Sequence, residues 1–349
     1  MKRKFGILIF IMLIATAWQP AKAVSFALDS IAEWGKFPRF CVGVYRWGDK
    51  FFNSYDPEYV SGTGYKFNVK IKTDSWTDFY NFNLPDKIDM MMTSDPSTSI
   101  GVYLTYLAVS IGYDINVSKL LTGEDRSRSR FNFGFNCSLL AAEWYYVSNE
   151  VGTTIKRISN GNNTLKMDLP FHGINTSEWA LQTYYFFNHK KYSQAAAFNY
   201  SKVQERSAGS FYAGLSVSNQ KYNFDFNNLP DNLLKYLPES WQGTYKVSTN
   251  NYGFRLGYGY NWVFARHWLL GVTESPIIGL RHGTINSETT SDSFALSNRL
   301  WASVVWNNRR WFAGVSAKFD SNIVYDKDHA FVSSILSVEA SIGYRFNIW

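Results

Sequence analysis

"SVEASIGYRFNIW", Ser337–Trp349, is the stretch whose reading decides the fold. Val338, Ala340, Ile342, Tyr344, Phe346 and Ile348 alternate with Glu339, Ser341, Gly343, Arg345 and Asn347. A strict period of two makes a strand with one apolar and one polar face. Domains usually close on a few polar, loosely held residues. A patterned last strand is instead expected to be paired on both sides, which a sheet closed on itself provides.

The same rule recurs upstream. Leu107, Val109, Ile111, Tyr113, Ile115 and Val117 alternate with small or polar residues, as do Phe131, Phe133, Phe135, Cys137 and Leu139. Phe211, Ala213, Leu215 and Val217 repeat it, and so do Trp311, Ala313, Val315, Ala317 and Phe319. The clearest run is Tyr252, Phe254, Leu256, Tyr258, Tyr260 and Trp262, interleaved with Gly253, Arg255, Gly257, Gly259 and Asn261. A soluble β-sandwich also alternates, but its water-facing side favours Lys, Glu and Thr, whereas here that side is rich in Gly, Ser and Asn. Inside a closed barrel, small residues leave room for a few charged ones.

Composition agrees. Aromatic residues make up 18% of the chain and charged residues only 18%, against about a quarter charged in ordinary soluble domains. The expected fold is all-β, a transmembrane antiparallel up-and-down β-barrel of about twelve strands, with ten or fourteen left open. The pattern predicts strand starts near residues 65, 77, 98, 129, 176, 191, 208, 243, 267, 293, 310 and 330. A phase slip near Tyr106–Leu107 reads as a bulge.

The beginning of the chain predicts export. Lys2, Arg3 and Lys4 precede the apolar run Gly6–Ala17, and Ala21 and Ala23 form an A-x-A cleavage signal. The predicted organisation is a signal peptide over 1–23, a short N-terminal periplasmic segment over 24–62 and an outer-membrane barrel over 63–349. Lys2, Arg3, Lys4 and Lys22 carry four positive charges, so their removal lowers the formal +7 to +3. No basic block remains to suggest nucleic acid as a partner. Localisation is expected in the outer membrane of a Gram-negative bacterium.

Counting back from a periplasmic C-terminus, Asn307–Arg309 and Ala265–Arg266 are short inner turns. Gly283–Asp292 and the insert from Asn219 to about Gly243 become outer loops, and residues 149–175 fall on the periplasmic side. "TTIKRISNGNNTLKMDL" within them could form a hairpin around Gly161. Pro230–Leu237 reads as a short helix in the outer loop.

The last strand also fits polar-x-Gly-x-x-apolar-x-apolar through Ser341, Gly343, Phe346 and Ile348, with Trp349 as a displaced final aromatic. This is similar to the β-signal of outer-membrane barrels, which implies the barrel-assembly machinery as a partner, together with outer-membrane lipid.

Predicted lumen-lining charges are Asp114, Arg255, Arg299, Lys318, Asp320, Glu339 and Arg345. They read either as paired networks filling a narrow lumen or as rings biasing the passage of a small polar solute. Glu274 shares the phase of the lipid-facing Trp268, Leu270 and Val272, where an anion is costly. Ser275-Pro276 follows, so the strand is expected to shift phase and turn Glu274 inward or to headgroup level. Cys41 precedes the barrel and Cys137 falls on an apparent lipid face. No Cys or His stands at metal-ligand spacing, so neither metal nor cofactor is predicted. His172-Gly-Ile-Asn-Thr-Ser177 and His282-Gly-Thr-Ile-Asn-Ser287 set a histidine near a serine, but loops have the same composition, and no catalytic residue is assigned.

"RWGDKFFNSYDPEYVSGTGYKF" (46–67) and "NHKKYSQAAAFNYSKVQERSAGSFYAGL" (188–215) resemble a Bacteroidetes-type family, a domain of unknown function predicted to form an outer-membrane barrel. The resemblance runs from about Trp34 to Trp349 and implies fold and location without an activity. Three functional classes follow: a small-solute channel or transporter with a polar lumen first, then a structural or surface-interaction barrel, then a barrel enzyme acting on lipid or glycan.

Overall fold

In the computed structural model the described residues are 39, 51–84, 88–106, 109–118, 127–150, 152–159, 164–230, 233, 243–285, 288–289, 292–326 and 329–347. In chain order the elements begin with β1 (Val60–Gly62), β2 (Phe67–Leu84), β3 (Ile88–Ser94), β4 (Ser97–Tyr106), β5 (Val109–Asn116) and β6 (Ser127–Asn136). Next come β7 (Leu140–Glu150), β8 (Thr153–Ser159), β9 (Thr164–Phe171), β10 (Ile174–Phe186) and the short helix α1 (Gln194–Phe198). The remainder are β11 (Lys202–Gln204), β12 (Ala208–Asp225), β13 (Thr244–Ala265), β14 (Trp268–Ile285), β15 (Glu288–Thr289), β16 (Ser293–Asn307), β17 (Trp311–Asp326) and β18 (His329–Phe346).

Twelve strands close into an antiparallel barrel: β2, β4 to β7, β10, β12 to β14 and β16 to β18. β18 returns to β2 from Phe346↔Phe67 to Ala330↔Asn83, so the patterned last strand is paired on both sides. The alternation sorts side chains as the period of two demands. On β13 the apolar set Tyr252 to Phe264 stays outside, 44–55% exposed, while Arg255 and Asn261 between them are wholly buried. That outer face is a lipid-facing surface, with Trp262, Phe264, Trp268 and Trp311 gathered near one end. Among the described residues no helix is long and apolar enough to cross a membrane.

Short connections define one end: residues 107–108, 137–139, 266–267 and 308–310. This end is periplasmic by the general rule for such barrels. Several strand predictions need correction. The phase slip at 106–107 is the β4–β5 connection and not a bulge, and β7 starts at Leu140, so starts near 109 and 140 were missed. Residue 77 lies inside β2, and residue 191 begins no strand, so two errors offset two omissions in the count. Counted back from the C-terminus, removing the false strand near 191 reverses the parity of everything before it. Residues 149–175 therefore lie at the long-loop end, where β8 and β9 form the foreseen hairpin with its turn outside the described residues. β12 starts at Ala208 as expected but runs to Asp225, shortening the loop that follows.

At the long-loop end the sheet extends beyond the barrel. The far half of β2 pairs with β3, β3 with β8, and β8 with β9. Their inward apolar residues meet those of β10, β12 and β13 in one cluster, including Phe82, Met90, Met92, Ile155, Phe171, Phe224 and Phe226. Phe224 and Phe226 are both wholly buried, and Phe224 lies 5.3 Å from Phe82 between ring centroids. Leu233 joins the cluster, while the rest of the predicted 230–237 helix lies outside the described residues apart from Pro230.

Candidate functional site: a filled, ion-paired lumen

The lumen is built from three levels. At the periplasmic end, the 187–207 connection between β10 and β12 folds into the barrel instead of crossing beneath it. Ser193 caps α1 by accepting a bond from the Ala196 amide, and Ala195, Ala196 and Ala197 are buried against the wall. A Cβ on Gly259 would meet the Tyr192 ring, and one on Gly271 would meet Ala197. The absent side chains on the inner wall are thus the seats of this insert. Tyr200, in the left-handed region at φ 63°, stacks on Phe312 at 4.9 Å.

Gln204 fastens the insert. Its Nε2 donates to the carbonyls of Tyr59, Lys191 and Arg206, at 3.1, 2.6 and 2.9 Å. Its Oε1 accepts from the Ser193 amide and from Asn261 Nδ2, both at 3.0 Å. β1 pairs with β11, and the Asp56 amide donates to the Lys190 carbonyl at 2.8 Å. The two stretches that carried the sequence resemblance therefore meet in space at this end.

The middle level is charged. Lys72 lies 3.0 Å from Glu339 and 3.5 Å from Asp114, whose other oxygen accepts from Tyr103 OH at 2.6 Å. Arg130 faces Glu143 at 3.4 Å, and Tyr145 OH donates to Glu178 at 3.0 Å. Arg299 forks onto Asp320 at 2.6 and 3.2 Å, and Lys318 reaches the same carboxylate at 3.5 Å. Toward the long-loop end, Arg281 donates to Asn251 Oδ1 at 2.6 Å. Two internal cavities of about 100 and about 160 Å³ flank Arg130, Arg299 and Lys318. The third level is the apolar cluster at the long-loop end.

All seven charges predicted to line the lumen have inward-facing side chains. The structure groups Asp114 with Glu339 around Lys72, and Arg299 with Lys318 around Asp320. Arg255 stands beside the second group. Arg345 lies apart, donating to Asn307 Oδ1 at 3.0 Å and to the carbonyls of Arg309 and Tyr200. Sequence reading missed Lys70, Lys72, Asp74, Arg130, Glu143, Glu178 and Arg281. Each sits on the inward phase of its strand, so extending the period of two along β2, β6, β7, β10 and β14 would have found them.

Of the strand-end motif, Ser341 donates to Tyr200 OH at 3.0 Å, and a Cβ on Gly343 would enter the Phe312 ring. Phe346 stacks on Phe67 at 5.6 Å across the closing seam. Ile348, Trp349, Cys41, Ala21, Ala23 and the 1–23 segment lie outside the described residues.

Other expectations are corrected. Glu274 keeps its outward, exposed phase, and the Pro276 interruption does not rotate the strand, because Ile277, Gly279 and Arg281 continue the inward set. Asn298 Nδ2 donates to it at 3.4 Å. Cys137 is buried in the 137–139 turn and not on the lipid face, and burial pushes its thiol up. No hydrogen bond joins His172 to Ser177; Ser287 lies outside the described residues, and His282 Nδ1 lies 2.8 Å from exposed Asp292. A different pair, Ser54 Oγ and His189 Nε2, lies at 3.3 Å at the periplasmic end, where burial holds the imidazole below its usual range.

Among solved structures, the outer membrane protease OmpT from Escherichia coli is 9% identical, with 82% of this chain and 98% of that chain covered and a TM-score of 0.39. OprG from Pseudomonas aeruginosa is 12% identical over 82% and 99%, with a TM-score of 0.26. The P. putida toluene transporter TodX is 8% identical over 81% and 91%, again at 0.26. Likeness at these scores says nothing about role. No curated protein matches the chain. The closed barrel with its lipid-facing belt is an outer-membrane β-barrel, and the family match over residues 54–346 shows that the chain belongs to the domain of unknown function DUF4421.

Proposed function

We propose that this outer-membrane barrel is a closed membrane anchor that presents a folded head at the cell surface, and not an open solute pore. The observation that carries this reading is the apolar cluster at the long-loop end. Most of its members come from β2, β3, β8, β9, β10, β12 and β13, with Phe226, Leu229 and Leu233 added from the segment after β12, so it is the core of the head and more than a loop resting on the mouth. Opening it would hydrate wholly buried Phe82, Phe224, Phe226, Met90 and Met92, each worth about 1.5–3 kcal/mol of burial. Export by cleavage after Ala23 and capture of β18 by the assembly machinery complete the proposed route, with outer-membrane lipid as the surrounding partner.

A second reading, gated passage of a small polar solute, is favoured by the charged cavities and by the 187–207 connection that fills the periplasmic end. Planar-bilayer recording of the chain purified from membranes separates the two. The sealed reading expects no steady current, and continued silence when Gln204→Ala loosens the insert, because the two closures act in series. Steady current from the unaltered chain would sink it. Stepwise openings confined to Gln204→Ala would shift the choice to gated passage.

A further inference from the structure

The two internal cavities adjoin, since Asp74, Arg130, Arg299, Lys318 and Ser337 border both. A buried water needs about 10–15 Å³ of such space, so the larger cavity, of about 160 Å³, has room for about ten atoms of that size. Phe198 and Asn199 of the insert border the larger cavity, and Gln220 and Asn251 border the smaller one toward the long-loop end. Five lysines or arginines and five aspartates or glutamates line the two together. A wall with balanced charge favours neither a lone cation nor a lone anion.

Eight of these ten groups already have a hydrogen-bond partner. Lys70 and Lys72 donate to Glu339 at 3.4 and 3.0 Å, and Arg130 donates to Glu143 at 3.4 Å. Arg299 donates to Asp320 at 2.6 Å, and Tyr145 OH to Glu178 at 3.0 Å. Asp74 and Lys318 are the other two. Among the described residues neither Asp74 oxygen accepts a hydrogen bond, and Lys72 approaches it only to 3.9 Å. Lys318 donates none and meets only the Asp320 carboxylate, at 3.5 Å, which Arg299 already grips with two bonds. Both have surface in the cavities they border, 9% of the Asp74 side chain and 18% of the Lys318 side chain.

β18 runs between them. Asp74 pairs with Glu339 on one side of that strand, and Lys318 pairs with Ser337 on the other. Two strand spacings put their backbones about 10 Å apart, and among the described residues no ion pair joins them. An anion and a cation thus face shared polar space, each short of a hydrogen bond. A buried polar group is costly until it is paired. One small molecule that carries both charges answers both.

We propose that Asp74 and Lys318 are the two poles of a binding site for a small zwitterion, a molecule with one ammonium and one carboxylate, held in this chamber. Its ammonium donates to Asp74 and its carboxylate accepts from Lys318. The site goes beyond the anchor reading and stands whichever way the conductance test falls. A sealed barrel takes up the solute as it closes, and a gated one exchanges it.

Urea unfolding of the chain purified from membranes tests it, with each point approached by refolding into detergent micelles so that the solute is present before the barrel closes. Glycine, β-alanine and γ-aminobutyrate are the probes. Methylammonium acetate supplies both charges on separate ions, and sucrose serves as a neutral excluded solute. The expected result is a midpoint that rises and saturates with at least one zwitterion. Asp74→Asn and Lys318→Met should each raise the concentration for half of that rise by at least about tenfold. Glu274→Gln, on the outward face, should leave it unchanged. If Asp74→Asn or Lys318→Met does not fold, Ser337→Ile decides, because it fills space that both cavities share and should abolish the rise. Equal midpoints with and without the zwitterions would overturn the proposal. So would a rise that methylammonium acetate or sucrose reproduces, or one that survives Asp74→Asn, Lys318→Met or Ser337→Ile.

Discussion

Phe224→Asp is expected to unfold the head while leaving a barrel in the membrane. Phe224 is wholly buried and its ring lies 5.3–6.2 Å from those of Phe82, Tyr80, Phe226, Phe331, Tyr222 and Tyr245. The change removes a phenyl group, worth about 3–5 kcal/mol by itself, and puts a carboxylate where the cluster offers apolar surface. A loss of at least about 5 kcal/mol is therefore expected. Phe224→Leu, which keeps most of the volume, should cost only about 1.5 kcal/mol. Limited trypsin digestion reads the difference, because Lys156 and Lys166 on β8 and β9 become cleavable when the hairpin separates from β3. A head as resistant in Phe224→Asp as in the unaltered chain would mean that the cluster is not its core, and the sealed-barrel reading would lose its support.

Asp320→Asn should weaken the barrel from within by about 3 kcal/mol. The substitution keeps shape and removes the charge that answers both Arg299, at 2.6 Å, and Lys318, at 3.5 Å. A fifth of the Asp320 side chain faces the internal cavity, and water there tempers the loss. The triple change Arg299→Met, Lys318→Met and Asp320→Leu should recover most of the stability, since removing an ionic cluster as a whole costs far less than removing one member. Denaturant unfolding in micelles measures both. An unchanged midpoint in Asp320→Asn would show that cavity water, and not the carboxylate, screens the two cations.

Much of the barrel was legible because alternation is a local property. Tyr252 to Trp262 announce an outward face, and Arg255 between them announces an inward one, whatever lies across the sheet. The strand count came out at twelve by compensation. β4 and β5 were read as one element because their connection at 107–108 breaks the phase by a single step, as a bulge does. The strand expected near residue 191 is absent because Lys191 to Tyr200 forms a turn and a short helix folded against the wall. Those residues make a buried helix only because Gly259, Gly271 and Gly314 leave space opposite them. Alternation marks these glycines only as part of a small-residue face. Nothing local says what fills it.

By itself the sequence determined that this chain forms a β-barrel with apolar side chains outside and isolated charges within, since strand period and face polarity depend only on neighbours in the chain. Tertiary structure decided what the barrel encloses. Whether Lys72 meets Asp114 and Glu339, whether the 187–207 connection enters the lumen, and whether Phe82, Phe171 and Phe224 seal the far end all depend on register between distant strands. Closing the sheet sets that register, and one residue of slip would turn every such side chain to the other face.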